Sequence, residues 1–203
     1  FIPQIIEAID MAKEQGFNLP FVYNCSGYEE IDALKLLDGY IDIYLPDFKY
    51  MSAELAARYS HAPDYPEVAK RALEQMVKIT GEPLFNKEGM MQRGVIVRHL
   101  LLPGHKKNAK AVLQYLWETY GDRVYISLMN QYTPMVQLTS HRGNQKELEE
   151  AVQQEPQLMR KVTAREYEQV VDYALQLGIT NAFIQEGDVA KESFIPDFDT
   201  TGV

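Results

Sequence analysis

The sequence predicts an α/β domain, an incomplete β/α barrel of parallel strands with helices outside. Three observations carry this. Helical and extended patterns alternate from end to end of the 203 residues, the order expected of a sheet covered by helices. The extended runs, such as "YIDIYL" and "GVIVRHLLL", are nearly continuously apolar, as strands buried on both faces must be. Finally, the chain opens on a helical pattern at Phe1 whose next element is a strand, which predicts that the first strands are missing. An open doubly wound sheet is the alternative architecture.

Each element can be justified in turn. Ile5, Ile6, Ile9 and Ala12 recur at helical spacing and Gly16 marks a stop. "LPFVYNCSG" is a β-rich run ending in small polar residues, "EEIDALKLLDG" is helical and closed by Gly39, and "YIDIYLPDF" is the second strand. A polar loop with one helical patch, "KYMSAELAARYSHAPDY", follows. A helix is expected from Pro66 to Thr80, with Asp64 before it and Gly81 after it. "GVIVRHLLLPG" is the third strand, Val112, Leu113, Leu116 and Trp117 mark a helix ended by Gly121, and "RVYISLMNQY" is the fourth strand. The charged stretch 145–160, interrupted by Pro156, reads as an exposed helix plus loop. Thr163 and Glu166 have capping-box spacing ahead of another helix, and "NAFIQEG" is a short fifth strand. With no linker, and no repeat on the scale of about 20 to 50 residues, residues 1–203 form a single domain.

Composition narrows the function. A net charge of −9 opposes bulk attraction to nucleic acid or anionic membrane. No apolar run approaches the roughly 18 residues of a membrane span. The expected location is therefore soluble and cytoplasmic. The single cysteine, Cys25, excludes an internal disulfide and a multi-cysteine metal site, and it reads as a small buried residue rather than a nucleophile. His61, His99, His105 and His141 are scattered without metal-ligand spacing, so no metal site is assigned.

Ligands of parallel α/β folds bind beyond the C-terminal ends of the strands. Side chains alternate along a strand, so parity groups the polar residues found there. Asn24 and Ser26 share a face of the first strand, Asp47 and Lys49 of the second, Arg98 lies on the third with His99 opposite, and Gln131 ends the fourth. If all point inward, the mouth holds Asn24, Ser26, Asp47, Lys49, Arg98 and Gln131. Such a set suits a zwitterion: cations for a carboxylate, Asp47 or Asn24 for an ammonium or ribose hydroxyl, Gln131 for amide edges. The plainer alternative for Asp47 and Lys49 is a local surface ion pair. Arg98 stands among Val95, Ile96, Val97 and Leu100, where a guanidinium demands a partner.

The ordered set "VYNCSGYE", "DIYLPDFKYM", "RYSHAPDYPEVA", "VIVRHLLLPG" and "ESFIPDFDTTGV" resembles the radical S-adenosylmethionine proteins related to pyruvate formate-lyase activating enzyme. The resemblance implies a partial (β/α)6 barrel holding a 4Fe–4S cluster on the three cysteines of a CxxxCxxC loop. S-adenosylmethionine chelates the cluster and is cleaved reductively to a radical. An electron donor such as flavodoxin or ferredoxin is implied, and a glycyl-radical enzyme as the acceptor. Asn24 stands where activating enzymes often have Asp, Asp47 and Lys49 match their D-x-K, Arg98 matches an arginine before "LLLPG", and Gln131 falls near a position that is often His. These residues are implied to hold the methionine and ribose parts of the cofactor.

CxxxCxxC is absent, and so is the GGE-type segment; "GEP" at residues 81–83 follows a helix instead of a strand. The expectation is therefore the C-terminal portion of such a protein, unable to ligate the cluster and inactive alone. Two other readings stand beside it. Lys49 could form a Schiff base in an aldolase-like lyase, with Asp47 assisting. Alternatively, the domain is a non-catalytic protein-binding module that uses stretch 145–160 or the tail "ESFIPDFDTTGV".

Overall fold

The computed structural model describes residues 1–134 and 155–184. Helix α1 (Ile2–Glu14) leads into strand β1 (Val22–Cys25), then α2 (Ile31–Leu36) and β2 (Ile43–Pro46). Helices α3 (Ala53–Ser60) and α4 (Tyr65–Thr80) follow, then β3 (Leu84–Phe85), β4 (Met91–Leu100), α5 (Lys106–Tyr120) and β5 (Tyr125–Met129). A short 3-10 turn (Pro156–Met159), α6 (Ala164–Gln176) and β6 (Ala182–Ile184) complete the described elements.

Strands β1, β2, β4, β5 and β6 lie side by side in that order, and every pair is parallel. Each strand neighbours the one before it, with no reversal of direction across the sheet. This is barrel-type winding, and it separates the two architectures open at the sequence level, because a doubly wound sheet would place later strands on both sides of the first.

The strand missed by periodicity is β3, which pairs antiparallel with the start of β4. Two residues are too few to show a period. The turn signal was present in "NKEG": Asn86 accepts the N–H groups of Glu88 and Met90 at 3.1 and 2.8 Å and so closes the hairpin. Phe85 thereby lands 5.2 Å from the ring of Tyr125 at the N-terminal end of β5.

Local chemistry sets the helix ends. Ser52 caps α3 by accepting the Leu55 N–H at 3.2 Å. Helix α4 starts with Pro66 in its first turn and has Glu67 there and Lys78 in its last turn, each suited to the helix dipole. Helix α6 carries the predicted capping box in full, with Thr163 and Glu166 each accepting the other's backbone N–H.

The core lies between the sheet and the helices. Tyr44, Val95, Val97, Ile126 and Leu128 are at most 2% exposed and pack against Leu34, Ala72, Leu73, Leu113 and Val170 from the helices. Burying a Leu or Val fully contributes about 1.5–3 kcal/mol, so this face anchors the fold. The opposite face carries Val22, Leu45, Asp47, Ile96, Arg98, Ser127 and Phe183, which are half-buried or exposed. No helix of the described residues is long and apolar enough to cross a membrane.

Candidate functional site

Register brings the predicted residues into rows across the uncovered face. Asn24 is level with Leu45, and one step further along the strands Asp47 bridges to Arg98, which is level with Ser127 and through it Phe183. Side chains at paired positions of a parallel sheet project to the same face. The face therefore runs from apolar and aromatic at its N-terminal end to charged at its C-terminal mouth.

At the mouth, Arg98 Nη2 donates to Asp47 Oδ1 at 2.6 Å. Lys49 Nζ stands 3.7 Å from the other carboxylate oxygen. The side chains of Asp47 and Arg98 are 23% and 26% exposed and that of Lys49 is 42% exposed, so the triad is half-sheltered and open on one side. Arg98 Nε is buried and has no hydrogen-bond acceptor among the described residues. A guanidinium with a donor in that state has capacity for an acceptor that the described residues do not supply.

The loop carrying Asp47 and Lys49 is fixed one peptide group at a time. Asp47 N–H donates to the Cys25 carbonyl at 2.9 Å and Phe48 N–H to the Arg98 carbonyl at 2.8 Å. Buried His99 donates from Nδ1 to the Phe48 carbonyl at 2.7 Å. Burial holds the His99 pKa below its ordinary value, so the ring is neutral with its proton on Nδ1. Asn108, at the start of α5, donates to the Lys49 carbonyl and accepts from Met51 N–H, both at 2.9 Å. The Tyr65 hydroxyl accepts the Lys49 N–H at 3.0 Å. Side chains from three other elements thus preset one loop, the support that a recognition site needs.

The other predicted residues are placed less centrally. Asn24 is exposed, one row below Asp47 on the adjacent strand. Ser26 lies just past β1, where its Oγ accepts the Tyr28 N–H at 3.4 Å. Gln131 is exposed beyond the end of β5, with Nε2 3.7 Å from the Met129 sulfur. Stretch 145–154 and the tail 185–203 lie outside the described residues, so the binding segments expected there are not placed.

Cys25 faces the helix-covered side. Burial, and then the nearby Glu29 carboxylate, push its thiol up to about 12, so it is neither a ready nucleophile nor a ready ligand. Among the described residues no group of three His, Cys, Asp or Glu side chains could hold a metal ion. The Lys49 ammonium is paired with a carboxylate and open to water, a setting for charge recognition; a Schiff-base lysine works best in a desolvated pocket.

Parity found Asp47 and Arg98 but missed Tyr65, Asn108 and Gly27, which act through backbone atoms of other segments. Gly27 had a faint signal as the glycine of "CSG". At φ +78°, a Cβ there would lie 2.1 Å from the Asp47 carbonyl oxygen, so glycine is required. Tyr65 and Asn108 had none, since long-range bonds to a loop leave no local pattern.

No protein-family model matches the chain. An uncharacterized protein of Methanocaldococcus jannaschii, MJ0674, is 24% identical over 172 residues, and the chain spans 43% of its length. A solved domain of pyruvate-formate lyase-activating enzyme from Bacteroides vulgatus superposes with a TM-score of 0.59 at 12% identity, over 91% of each chain. A likeness at that identity is one of fold, and the shared fold is the partial α/β barrel described above.

Proposed function

We propose that this chain is the cofactor-facing part of a radical S-adenosylmethionine protein, with Asp47, Lys49 and Arg98 as the polar contacts for the methionine end of the cofactor. The observation that carries the reading is the half-sheltered Asp47–Arg98 pair at the mouth, with Lys49 beside it and Arg98 Nε unfilled. The barrel likeness to an activating-enzyme domain supports it.

In this reading Arg98 and Lys49 meet the carboxylate and Asp47 meets the ammonium, while Asn24 and Ser26 lie toward the ribose and Gln131 toward an amide or carbonyl edge. Bound in a complete protein, the cofactor is a source of a carbon-centred radical. The iron–sulfur cluster does not fit this chain, because one cysteine cannot supply three thiolates; its ligands would belong to another segment of a longer protein. The partners that follow are a flavodoxin or ferredoxin as electron donor and a glycyl-radical enzyme such as pyruvate formate-lyase as acceptor.

The test is calorimetric titration of the chain with S-adenosylmethionine and S-adenosylhomocysteine. Saturable binding, weakened about tenfold or more by Arg98→Ala, is expected, since a hydrogen bond to a charged group is worth about 1.5–3 kcal/mol. Absence of binding, or binding indifferent to Arg98→Ala and Asp47→Asn, would overturn the assignment. Reconstitution with iron and sulfide is expected to leave no 4Fe–4S signal by EPR, and a stable cluster on this chain would contradict the placement of its ligands elsewhere.

A further inference from the structure

We infer that Tyr65 is a positioning residue of the mouth, its hydroxyl joining the loop after β1 to the loop after β2 so that both are presented to one ligand as a unit. The consequence for binding rests on the proposed function above; the clamp itself rests on geometry alone.

Tyr65 opens α4 and is 3% exposed. Its hydroxyl oxygen lies 2.9 Å from the Ser26 carbonyl and 3.0 Å from the Asp47 carbonyl, and accepts the Lys49 N–H at 3.0 Å. A phenol has one proton, so that proton is shared between carbonyls of two different strand ends while the oxygen holds a third peptide group. The two loops approach closely there through their backbones, because a Cβ on Gly27 would lie 2.1 Å from the Asp47 carbonyl oxygen, and it would also come within 3.2 Å of the Tyr65 hydroxyl.

Ring packing alone does not call for a tyrosine at this position. The Tyr65 ring stacks on Tyr28 at 5.8 Å and meets Tyr50 and Phe48 edge-on at 5.5 and 6.5 Å, contacts that phenylalanine would keep. A buried hydroxyl is unfavourable unless hydrogen-bonded, and here every bond it makes ends on the backbone of a mouth loop. Burial also pushes the phenol pKa up, which keeps the group both donor and acceptor. Asn108 holds the far side of the same loop, through its side-chain bonds to Lys49 O and Met51 N–H, and neither bond reaches the β1 loop. Of the two clamps, Tyr65 is the one that joins the strands.

Tyr65→Phe in the full chain tests this, with Asn108→Ala for comparison, by NMR amide exchange and by titration with S-adenosylhomocysteine. In Tyr65→Phe the Lys49 amide should exchange about tenfold faster, as loss of one hydrogen bond implies. The amides of residues 26–28 should follow, those of α4 and β4 should be unchanged, and affinity should fall about tenfold. Asn108→Ala should release the Met51 amide and leave residues 26–28 protected. An unchanged Lys49 amide, or acceleration spread evenly over α4 and β4, would reduce Tyr65 to a packing residue. A mobile Lys49 with undiminished affinity would equally overturn the positioning role. If the wild-type chain takes no ligand, the reading of the mouth fails, and the exchange pattern still decides the clamp.

Discussion

Asp47 and Arg98 are held at 2.6 Å, yet removing one is not equivalent to removing the other. Asp47→Ala leaves a half-buried guanidinium with Nε already unfilled and its Nη2 partner gone. Arg98→Met removes that charge, fills the space with a flexible apolar chain, and leaves Asp47 with Lys49 at 3.7 Å. Breaking a pair costs more than replacing the costly member. Urea unfolding should therefore show Asp47→Ala destabilised by about 2 kcal/mol and Arg98→Met by less, and the reverse order would count against the orphaned-donor argument. The place of each residue at the mouth was legible in the sequence, because strand parity is a local rule; the pair itself was not, since it needs β2 and β4 to be neighbours. Nor was its support by His99, Asn108 and Tyr65, because those bonds span 51, 59 and 16 residues.

Among the elements, α6 ties the mouth's surroundings together. Glu166 in its capping box accepts from Thr163 N–H at 3.0 Å, from Gly104 N–H at 2.9 Å and from both terminal nitrogens of Arg160. The Arg160 bond foremost, then those from Thr163 and Gly104, hold the carboxyl far below its ordinary 4.5. With the folded pKa depressed, the stabilisation is complete above about pH 4.5 and is lost as pH falls below that value. Glu166→Gln should cost about 1–3 kcal/mol at neutral pH and should flatten the acid limb of stability, measured by denaturant unfolding between pH 5 and 2. A variant with an acid limb as steep as wild type would remove this role. The sequence announced the capping box at Thr163 and Glu166, since its spacing is local. The bond from Glu166 to the β4 exit loop at Gly104 was invisible, and so was the two-residue strand β3.

Across the whole molecule, acid should act in two stages. Burial lowers the pKa of both His99 and His105 from 6.5, so the unfolded chain takes up those protons first and stability declines as pH falls below about 6.5. Glu166 adds the second decline below about 4.5. Glu29 runs the other way: burial raises its pKa, and it loses stabilisation as pH rises from 4.5 toward its folded value. Thermal melts across pH 8 to 3 should show the upper stage shrink in His99→Gln, whose amide can still donate to the Phe48 carbonyl. An upper stage identical to wild type would assign it elsewhere. The alternation of elements was legible at this scale because both periods are strong over long stretches. Barrel winding was the expected architecture, ahead of an open doubly wound sheet, and the strand order bears it out; the register of each pair was not legible, because it is set by contacts the linear pattern does not encode.

The consecutive strand order has a consequence for how the polypeptide is made. Each β/α unit finds its docking partner in the unit translated just before it, so no strand must wait for a later one to be inserted beside it. Domains are synthesised N-terminal end first, at about 5–20 residues per second, slowly compared with the formation of local structure. The core can thus be laid down stepwise at the ribosome, with the edge of the newest strand as the template for the next.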